Sequence, residues 1–256
     1  MDASSAITPR TNARSPGRSL HRFANPGRFL RLSGAVLPWL AAAGVALTAV
    51  GLVWGLRFAP ADWQQGDAVR IMYVHVPAAW LASAGYVGLA LCSVLSLVWR
   101  HPLADLAAAE IGPVGAGFTA LCLATGSIWG KPMWGAWWVW DARLTSVLVL
   151  FLFYVAYLAL RASIDDEAKG ARAAAILALV GLVNLPIVHF SVYWWNTLHQ
   201  GSSMLTKGAL PAVYAAPLYL MTLAYLAAFG SLWLVRTRGE LWRRRAEAAA
   251  LRAAGA

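Results

Sequence analysis

Six long apolar segments, separated by short polar stretches, cover most of this 256-residue chain. They comprise residues 35–56, 76–99, 106–129, 144–160, 173–195 and 209–235. Each is close to the roughly 20 residues that an α-helix needs to cross the hydrocarbon core of a bilayer. The pattern therefore predicts an all-α integral membrane protein with six transmembrane helices.

The segments predict one six-span domain, residues 35–235, with a basic tail on each side, residues 1–34 and 236–256. Because the first apolar segment follows a long basic stretch and lacks a small-x-small cleavage site, we expect it to be a retained span and not a signal peptide. The composition agrees, with 60% hydrophobic and 12% charged residues, whereas soluble domains average about 45–50% apolar and about 25% charged residues.

The formal net charge of +10 raises the question of a nucleic-acid partner. The basic residues, however, flank the apolar segments, as is typical of membrane orientation signals. If both termini are cytoplasmic, 16 of the 21 Lys and Arg residues lie on the cytoplasmic side. The distribution therefore predicts a membrane protein with cytoplasmic termini and no nucleic-acid partner, with anionic lipid as a secondary contact.

Several local signals refine the helices. Gly51-x3-Gly55 and Gly126-x3-Gly130 fit the small-xxx-small pattern of closely packed membrane helices. Pro186 predicts a kink in the fifth segment. The C-terminal sequence RRRAEAAALRAAGA is compatible with an exposed helix.

The most unusual stretch is WGKPMWGAWWVWDARLT, residues 129–145, which holds five tryptophans and one aspartate. If it is helical, Trp134, Trp137, Trp138 and Asp141 share one face, because they are spaced i, i+3, i+4 and i+7. One interpretation is an aromatic belt at the membrane interface. The other is a docking platform for a large, flat, apolar ligand. Asp141 could orient an imidazole, contact a partner or cap the segment.

Two histidines are predicted at the same outer depth as this stretch. His75, in RIMYVHVPAAW, begins the second span, and His199, in WWNTLHQG, follows the fifth. Two imidazoles on opposite sides of a macrocycle are a common way to ligate heme iron, although a single interfacial histidine is often only structural. His189 lies inside the fifth span, about 15 Å deeper than His199 if the helix continues.

Four cationic residues are predicted on the same face. They are Arg57, Arg70, Lys131 and Arg143. Cationic side chains at the rim of a heme site could pair with the propionates. Each could equally be a solvated interfacial charge, which is the interpretation we favour for Arg57.

The tryptophan stretch resembles the WWD signature of heme-handling membrane proteins. The flanking sequences FAPADWQQGDAVRIMYVHVPAAW and NLPIVHFSVYWWNTLHQGSS resemble the small, six-span heme exporter protein C family of the bacterial cytochrome c maturation system. The resemblance extends from about residue 35 to 235, and the three motifs agree in their order and predicted topology.

The resemblance implies that heme b is bound non-covalently at the periplasmic face, with His75 and His199 as axial ligands. It also implies a cradle for the macrocycle. We expect this cradle to include Trp129, Trp134, Trp137, Trp138, Trp140 and Asp141, with Arg70 and Arg143 nearby.

The same resemblance implies a delivery subunit that is not itself an enzyme but can assist covalent attachment of heme to a periplasmic heme chaperone. The implied partners are that chaperone, the ATPase and permease subunits of an ABC transporter, and a small single-span accessory protein. The sequence contains no GxxxxGK[ST] motif, so any ATPase is another chain.

Three other functions fit the residues less well. A heme b electron-transfer subunit usually buries paired histidines within its spans, whereas His189 has no partner at matching depth. A permease that moves heme through its own body would need polar or aromatic residues along an inner path, but the mid-span residues are mostly small and aliphatic, with Asn184 and Glu110 as exceptions. A larger heme lyase of the same superfamily would have more spans.

Overall fold

The computed structural model describes residues 25–199 and 210–255. Within these ranges the protein is all-α. The helices are α1 (Pro26–Val53), α2 (Met72–Trp99), α3 (Pro102–Trp134), α4 (Ala142–Ser163), α5 (Glu167–Gly181), α6 (Asn184–Trp194) and α7 (Ala212–Ala254). Residues 1–24 of the predicted N-terminal tail lie outside the described residues. Six helical stretches are long and apolar enough to cross a membrane, which confirms the predicted fold class.

Short side chains before the helices fix where the spans begin. The Asn25 side chain accepts a hydrogen bond from the backbone N–H of Arg28 and caps α1. Asp166 caps α5 through two backbone N–H groups. Pro26 and Pro102 occupy the first helical positions of α1 and α3, where a missing N–H costs nothing. These signals place the start of α1 earlier than the apolar run that predicted it.

The fifth span is broken, as Pro186 predicted. It consists of α5 and α6, which are separated by a turn at Leu182 and Val183. Proline has no N–H to donate to the carbonyl four residues earlier, so the α-helical pattern fails one turn before it. The buried Asn184 at this break donates a hydrogen bond to the Ser146 carbonyl of α4, at 2.9 Å.

Tyrosines fill the middle of the bundle. Tyr86 and Tyr154 are fully buried, and their rings meet edge to face at 4.9 Å. The Tyr154 hydroxyl donates to the Ala82 carbonyl at 2.9 Å. Glycines face these rings, and a β-carbon at Gly115 would overlap the Tyr154 phenol. Glycines on the neighbouring helices thus leave the space that the large aromatic rings of the core occupy.

The small-xxx-small motif at the end of α1 packs as predicted. A β-carbon at Gly51 would lie 2.5 Å from the Met221 sulfur of α7, and one at Gly55 would lie 2.5 Å from the Tyr73 ring of α2. After Val53 the chain continues as a π-helical turn, Trp54–Phe58. A 3-10 turn, Asp67–Ile71, leads into α2. In the second motif, Gly126-x3-Gly130, the glycines face the side chains of His75 and Trp134.

Ion pairs join the helices at the end of the bundle where α1 begins and α7 ends. Arg161 contacts both carboxylate oxygens of Asp105, at 2.8 and 2.7 Å. Glu110 pairs with Arg236 of α7 at 2.8 Å. The helix α7 continues through the basic C-terminal sequence to Ala254, which confirms the exposed helix expected there. The opposite end carries the α1–α2 loop, the α3–α4 loop and the C-terminus of α6, and we call it the tryptophan end.

Candidate functional site

The tryptophan stretch is not one helix, so the condition for a common helical face is not met. Helix α3 ends at Trp134, because Gly135 adopts the left-handed conformation at φ 77° and terminates it. Residues 136–140 are irregular, and α4 begins only after Asp141. The segment is therefore divided into tryptophans that pack on the end of α3 and tryptophans that lie in the loop.

The first group surrounds His199. The Trp129 and Trp134 rings meet edge to face at 5.1 Å. The His199 imidazole lies 5.2 Å from the Trp134 ring and 6.2 Å from the Trp129 ring, measured between centroids. Trp129 Nε1 donates to Gln65 Oε1 at 3.0 Å, which ties this cluster to the α1–α2 loop. Gly130 leaves room for the Trp134 ring, which a β-carbon would approach to 3.0 Å.

The second group presents open indole surface. The Trp137 side chain is 58% exposed and that of Trp140 is 74% exposed. Trp138 lies between them and is half-buried, with its ring edge to face with Trp140 at 5.5 Å. The Trp138 Nε1 atom is buried and has no hydrogen-bond partner among the described residues. Large apolar rings and an unused N–H donor suit a flat ligand that also carries polar groups.

Asp141 connects the start of α4 to the segment that carries His199. Its Oδ1 accepts from the backbone N–H of Leu144 at 2.7 Å and caps α4. Its Oδ2 accepts from the backbone N–H of Leu198 at 3.2 Å and lies 3.5 Å from His199 Nδ1. The separation from His199 is within ion-pair range, but the geometry is not that of a hydrogen bond. Asp141 therefore caps α4 and lies beside the His199 imidazole.

His75 lies in the first turn of α2 and packs against α3. Its Nδ1 lies 3.1 Å from the Cys122 carbonyl and 3.0 Å from the Thr125 hydroxyl. Gly126 leaves space for the ring, since a β-carbon there would lie 3.2 Å from His75 Cε1. The two glycines predicted to bring helices together thus accommodate a histidine and a tryptophan.

The two histidines contact neighbouring positions of α3. Thr125, which contacts His75, and Trp129, which contacts His199, are one turn apart on α3, about 6 Å along the axis. The sequence prediction that the two imidazoles share the depth of the tryptophan stretch is consistent with this placement.

The two candidate arginines are engaged with backbone and side chains. Arg70 Nη2 donates to the Ala59 carbonyl at 3.0 Å, and Nη1 pairs with Asp67 at 3.1 Å. Arg143 Nε donates to Ser191 Oγ of α6 at 2.9 Å. Arg70 also borders a cavity of about 430 Å³ that reaches the contact between His75 and α3. The cavity is lined by Leu56, Asp67, Arg70, Ile71, Val74, Thr125 and Ile128.

The protonation state of His199 suits a metal ligand. Burial lowers the pKa of His199 below the usual value for histidine, the Asp141 carboxylate opposes this shift, and Arg143 adds to it. A neutral imidazole offers one nitrogen lone pair to a metal. Among the described residues no group of three His, Cys, Asp or Glu side chains is arranged to hold an ion. Two imidazoles beside indole surface fit heme, whose iron needs only axial ligands from the protein.

Comparison with known proteins gives a consistent match along the chain. A family model described as heme exporter protein C matches residues 19–252. The chain belongs to the heme exporter protein C family. It is 53% identical to heme exporter protein C of Bradyrhizobium diazoefficiens over 224 residues, which cover 87% of this chain and 85% of that protein. It is 49% identical to heme exporter protein C of Escherichia coli K12 over 221 residues, which cover 86% and 90%.

For this member of the heme exporter protein C family, the structure adds contacts that the sequence did not reveal. Cys122, Thr125 and Gln65 hold the histidine and tryptophan side chains, yet each looked like an ordinary loop or helix residue. Only the position of Thr125 one turn before Trp129 hinted at a common face of α3. The partners of His75 are 47 and 50 residues away along the chain, so local spacing could not identify them.

Proposed function

We propose that this protein binds heme b at the tryptophan end of the bundle and delivers it for cytochrome c biogenesis. The observation that carries the proposal is that one end of α3 contacts both histidines, His75 through Thr125 and His199 through the Trp129 and Trp134 rings. Membership of a family whose members are named heme exporter proteins supports the same function. We propose binding and delivery, and no bond-forming step by the protein's own side chains.

In this proposal His75 and His199 would each offer a ring nitrogen lone pair to the heme iron. Heme supplies an iron centre that accepts these two axial donors. The surroundings support this role, because the Nδ1 atom of His75 is occupied by oxygen atoms of α3 and the buried His199 favours its neutral form. Axial histidines bind the iron and form no covalent bond to the porphyrin, so the cargo can leave.

The tryptophans supply the apolar contact area. We propose that Trp129 and Trp134 hold the histidine side of the site, while Trp137, Trp138 and Trp140 cover the macrocycle. Burial of apolar area contributes about 25 cal/mol per Å². Arg70 and Arg143 are the proposed partners of the propionates, since guanidinium groups bind carboxylates well. The exposed loop leaves an edge of the ligand accessible to another protein.

The direction of delivery follows from the distribution of charge. We propose that both termini are cytoplasmic and that the tryptophan end faces the periplasm, because 16 of the 21 Lys and Arg residues then lie inside. A periplasmic heme chaperone is the proposed receiver. The ATPase and permease subunits of an ABC transporter and a small single-span protein are the proposed partners in the membrane.

A visible spectrum of the purified protein tests the proposal. We expect a low-spin, bis-histidine b-type spectrum, and we expect His75→Ala and His199→Ala each to shift or remove the Soret band. His189→Ala is the matched control, because the His189 ring packs against Phe190 at 4.8 Å and the substitution keeps the backbone carbonyl that accepts from Arg143. Loss of heme only in the His189 variant would overturn the ligand assignment and favour an electron-transfer subunit with a heme inside the spans.

A further inference from the structure

Three residues of α3, Cys122, Thr125 and Gly126, surround part of the His75 ring. The Cys122 carbonyl and the Thr125 hydroxyl both contact Nδ1, at 3.1 and 3.0 Å, and Gly126 leaves the space that the ring edge fills. Cys122, Thr125 and Gly126 are spaced i, i+3 and i+4, so they share one face of the helix. Cys122 and Thr125 both contact Nδ1 of the imidazole, and neither contacts Nε2.

The hydrogen-bonding chemistry of the carbonyl and the hydroxyl indicates which tautomer of His75 they favour. A carbonyl oxygen can only accept a hydrogen bond. The Thr125 hydroxyl has its own carbonyl acceptors, Leu121 at 2.7 Å and Cys122 at 3.2 Å. A hydroxyl that donates to one of these carbonyls can accept from His75 Nδ1. Both partners of Nδ1 can therefore act as acceptors, which favours the tautomer with the proton on Nδ1.

We propose that Thr125 is a positioning residue that holds His75 in the Nδ1–H tautomer with Nε2 directed to the heme iron. The proposal rests on the proposed function, in which His75 is an axial ligand. Metal-ligating histidines generally donate their second ring N–H to an oxygen acceptor, which fixes the tautomer and ring orientation and makes the ligand more basic. Thr125 would supply this second contact through a side chain, which substitution can remove.

The carbonyl of Cys122 alone would leave the ring less constrained. The Cys122 carbonyl offers one hydrogen-bond acceptor to Nδ1. The Thr125 hydroxyl offers a second acceptor, and Thr125 lines the same cavity as Arg70. With two acceptors, rotation of the imidazole about its Cβ–Cγ bond would break two hydrogen bonds. Removal of the hydroxyl should therefore loosen the ring and weaken electron donation from Nε2, while the tautomer itself persists.

The test compares Thr125→Val, Thr125→Ser and Thr119→Val in the full-length protein purified with heme. Valine keeps the shape of threonine and removes its oxygen, and serine restores the oxygen. Thr119 is the matched control, because it is buried in the same helix and its hydroxyl donates to the Gly115 carbonyl at 2.7 Å without contacting His75. The readouts are the reduction potential of the bound heme and its affinity, measured by titration with hemin.

We expect Thr125→Val to lower heme affinity about tenfold, the lower end of the effect of losing an outer-shell partner. We also expect a more positive reduction potential, because a less basic imidazole stabilises ferric iron less. Thr125→Ser should restore both values, and Thr119→Val should change neither. Unchanged affinity and potential in Thr125→Val would overturn the proposal, as would an equal change in Thr119→Val.

The result can be separated from failure of the proposed function. If His75→Ala keeps the wild-type spectrum, His75 is not a ligand, and both proposals fall. If His75→Ala loses the spectrum while Thr125→Val retains the wild-type potential and affinity, the proposed function stands and only the role of Thr125 is overturned.

Discussion

Asp141 Oδ2 lies 3.5 Å from His199 Nδ1, while the other oxygen of the same carboxylate caps α4 through the Leu144 N–H at 2.7 Å. The side chain of Asp141 is only 6% exposed. One buried carboxylate thus caps a helix and borders an imidazole. Because the Asp141 side chain is buried, direct contact with a partner protein does not explain why an aspartate stands in the tryptophan stretch.

The two tasks of Asp141 can be separated by substitution. Asp141→Asn keeps an oxygen that can cap α4 but removes the charge beside His199 and the oxygen that accepts from the Leu198 N–H, whereas Asp141→Ala removes all three. Loss of an N-cap costs about 1 kcal/mol. We expect Asp141→Asn to unfold near the wild-type temperature and Asp141→Ala to unfold earlier, in thermal denaturation followed by circular dichroism in detergent.

Both Asp141 variants should bind heme less tightly, since each loses the charge that orients His199. We expect some heme to remain, because a carboxylate supplies little apolar area and is not a proposed iron ligand. Delivery, measured as covalent heme on a co-expressed chaperone, should fall more than heme content does. Wild-type heme affinity in Asp141→Asn would show that the 3.5 Å contact has no role in positioning His199.

The loop tryptophans distinguish a ligand platform from an interfacial belt. We expect the double variant Trp137→Ala, Trp138→Ala to insert normally and to lose about tenfold in heme affinity. Covering about 60 Å² of indole contributes about 1.5 kcal/mol, which is about a tenfold change in binding. Heme per protein is measured by spectrum after membrane extraction.

A tryptophan elsewhere in the protein provides the control for this prediction. Trp39 is 79% exposed on the outer surface of α1, so Trp39→Ala removes a comparable indole without touching the α3–α4 loop. It should leave heme content unchanged. If the double variant carries as much heme as Trp39→Ala and transfers it equally well, the tryptophans of the loop act only as an interfacial anchor.

The sequence predicted the spans well because crossing a bilayer demands length and apolarity, which are readable residue by residue. The helical spacing of Trp134, Trp137 and Trp138 is a coincidence, because Gly135 ends α3 in the left-handed conformation that is common at helix ends. The partners of His75, and the Leu198 and His199 partners of Asp141, come from distant segments, and a single sequence carries no signal of such contacts.

Close packing around the core tyrosines gives a prediction about stability. Gly115→Ala would force a β-carbon into the fully buried Tyr154 phenol, so we expect it to destabilise the protein by about 1–3 kcal/mol. A β-carbon at Gly117, two residues away on the same helix, would meet no atom of the described residues within 4 Å. Gly117→Ala should be neutral or stabilising by up to about 1 kcal/mol. Equal thermal unfolding of the two variants would contradict this account of the core.

The orientation of the bundle is testable with reporter fusions at its two ends. A fusion after Asp166, in the α4–α5 connection, should be active as a cytoplasmic reporter, because Arg161, Lys169 and Arg172 flank that connection. A fusion after Gln65, in the α1–α2 loop, should report the periplasm. The same loop binds Trp129 through Gln65, so this fusion also assigns the side of the candidate heme site.

A second pair of fusions controls for disruption of the bundle by the reporter. A fusion after Gly255 retains all the described helices and should report the cytoplasm. A fusion after Gly135 interrupts the chain just beyond α3 and should report the periplasm. Six spans require the Asp166 and Gly255 fusions to agree with each other and to oppose the Gln65 and Gly135 fusions. The opposite assignment at all four positions would place the histidines and the exposed indoles in the cytoplasm, where a periplasmic chaperone could not receive heme from them.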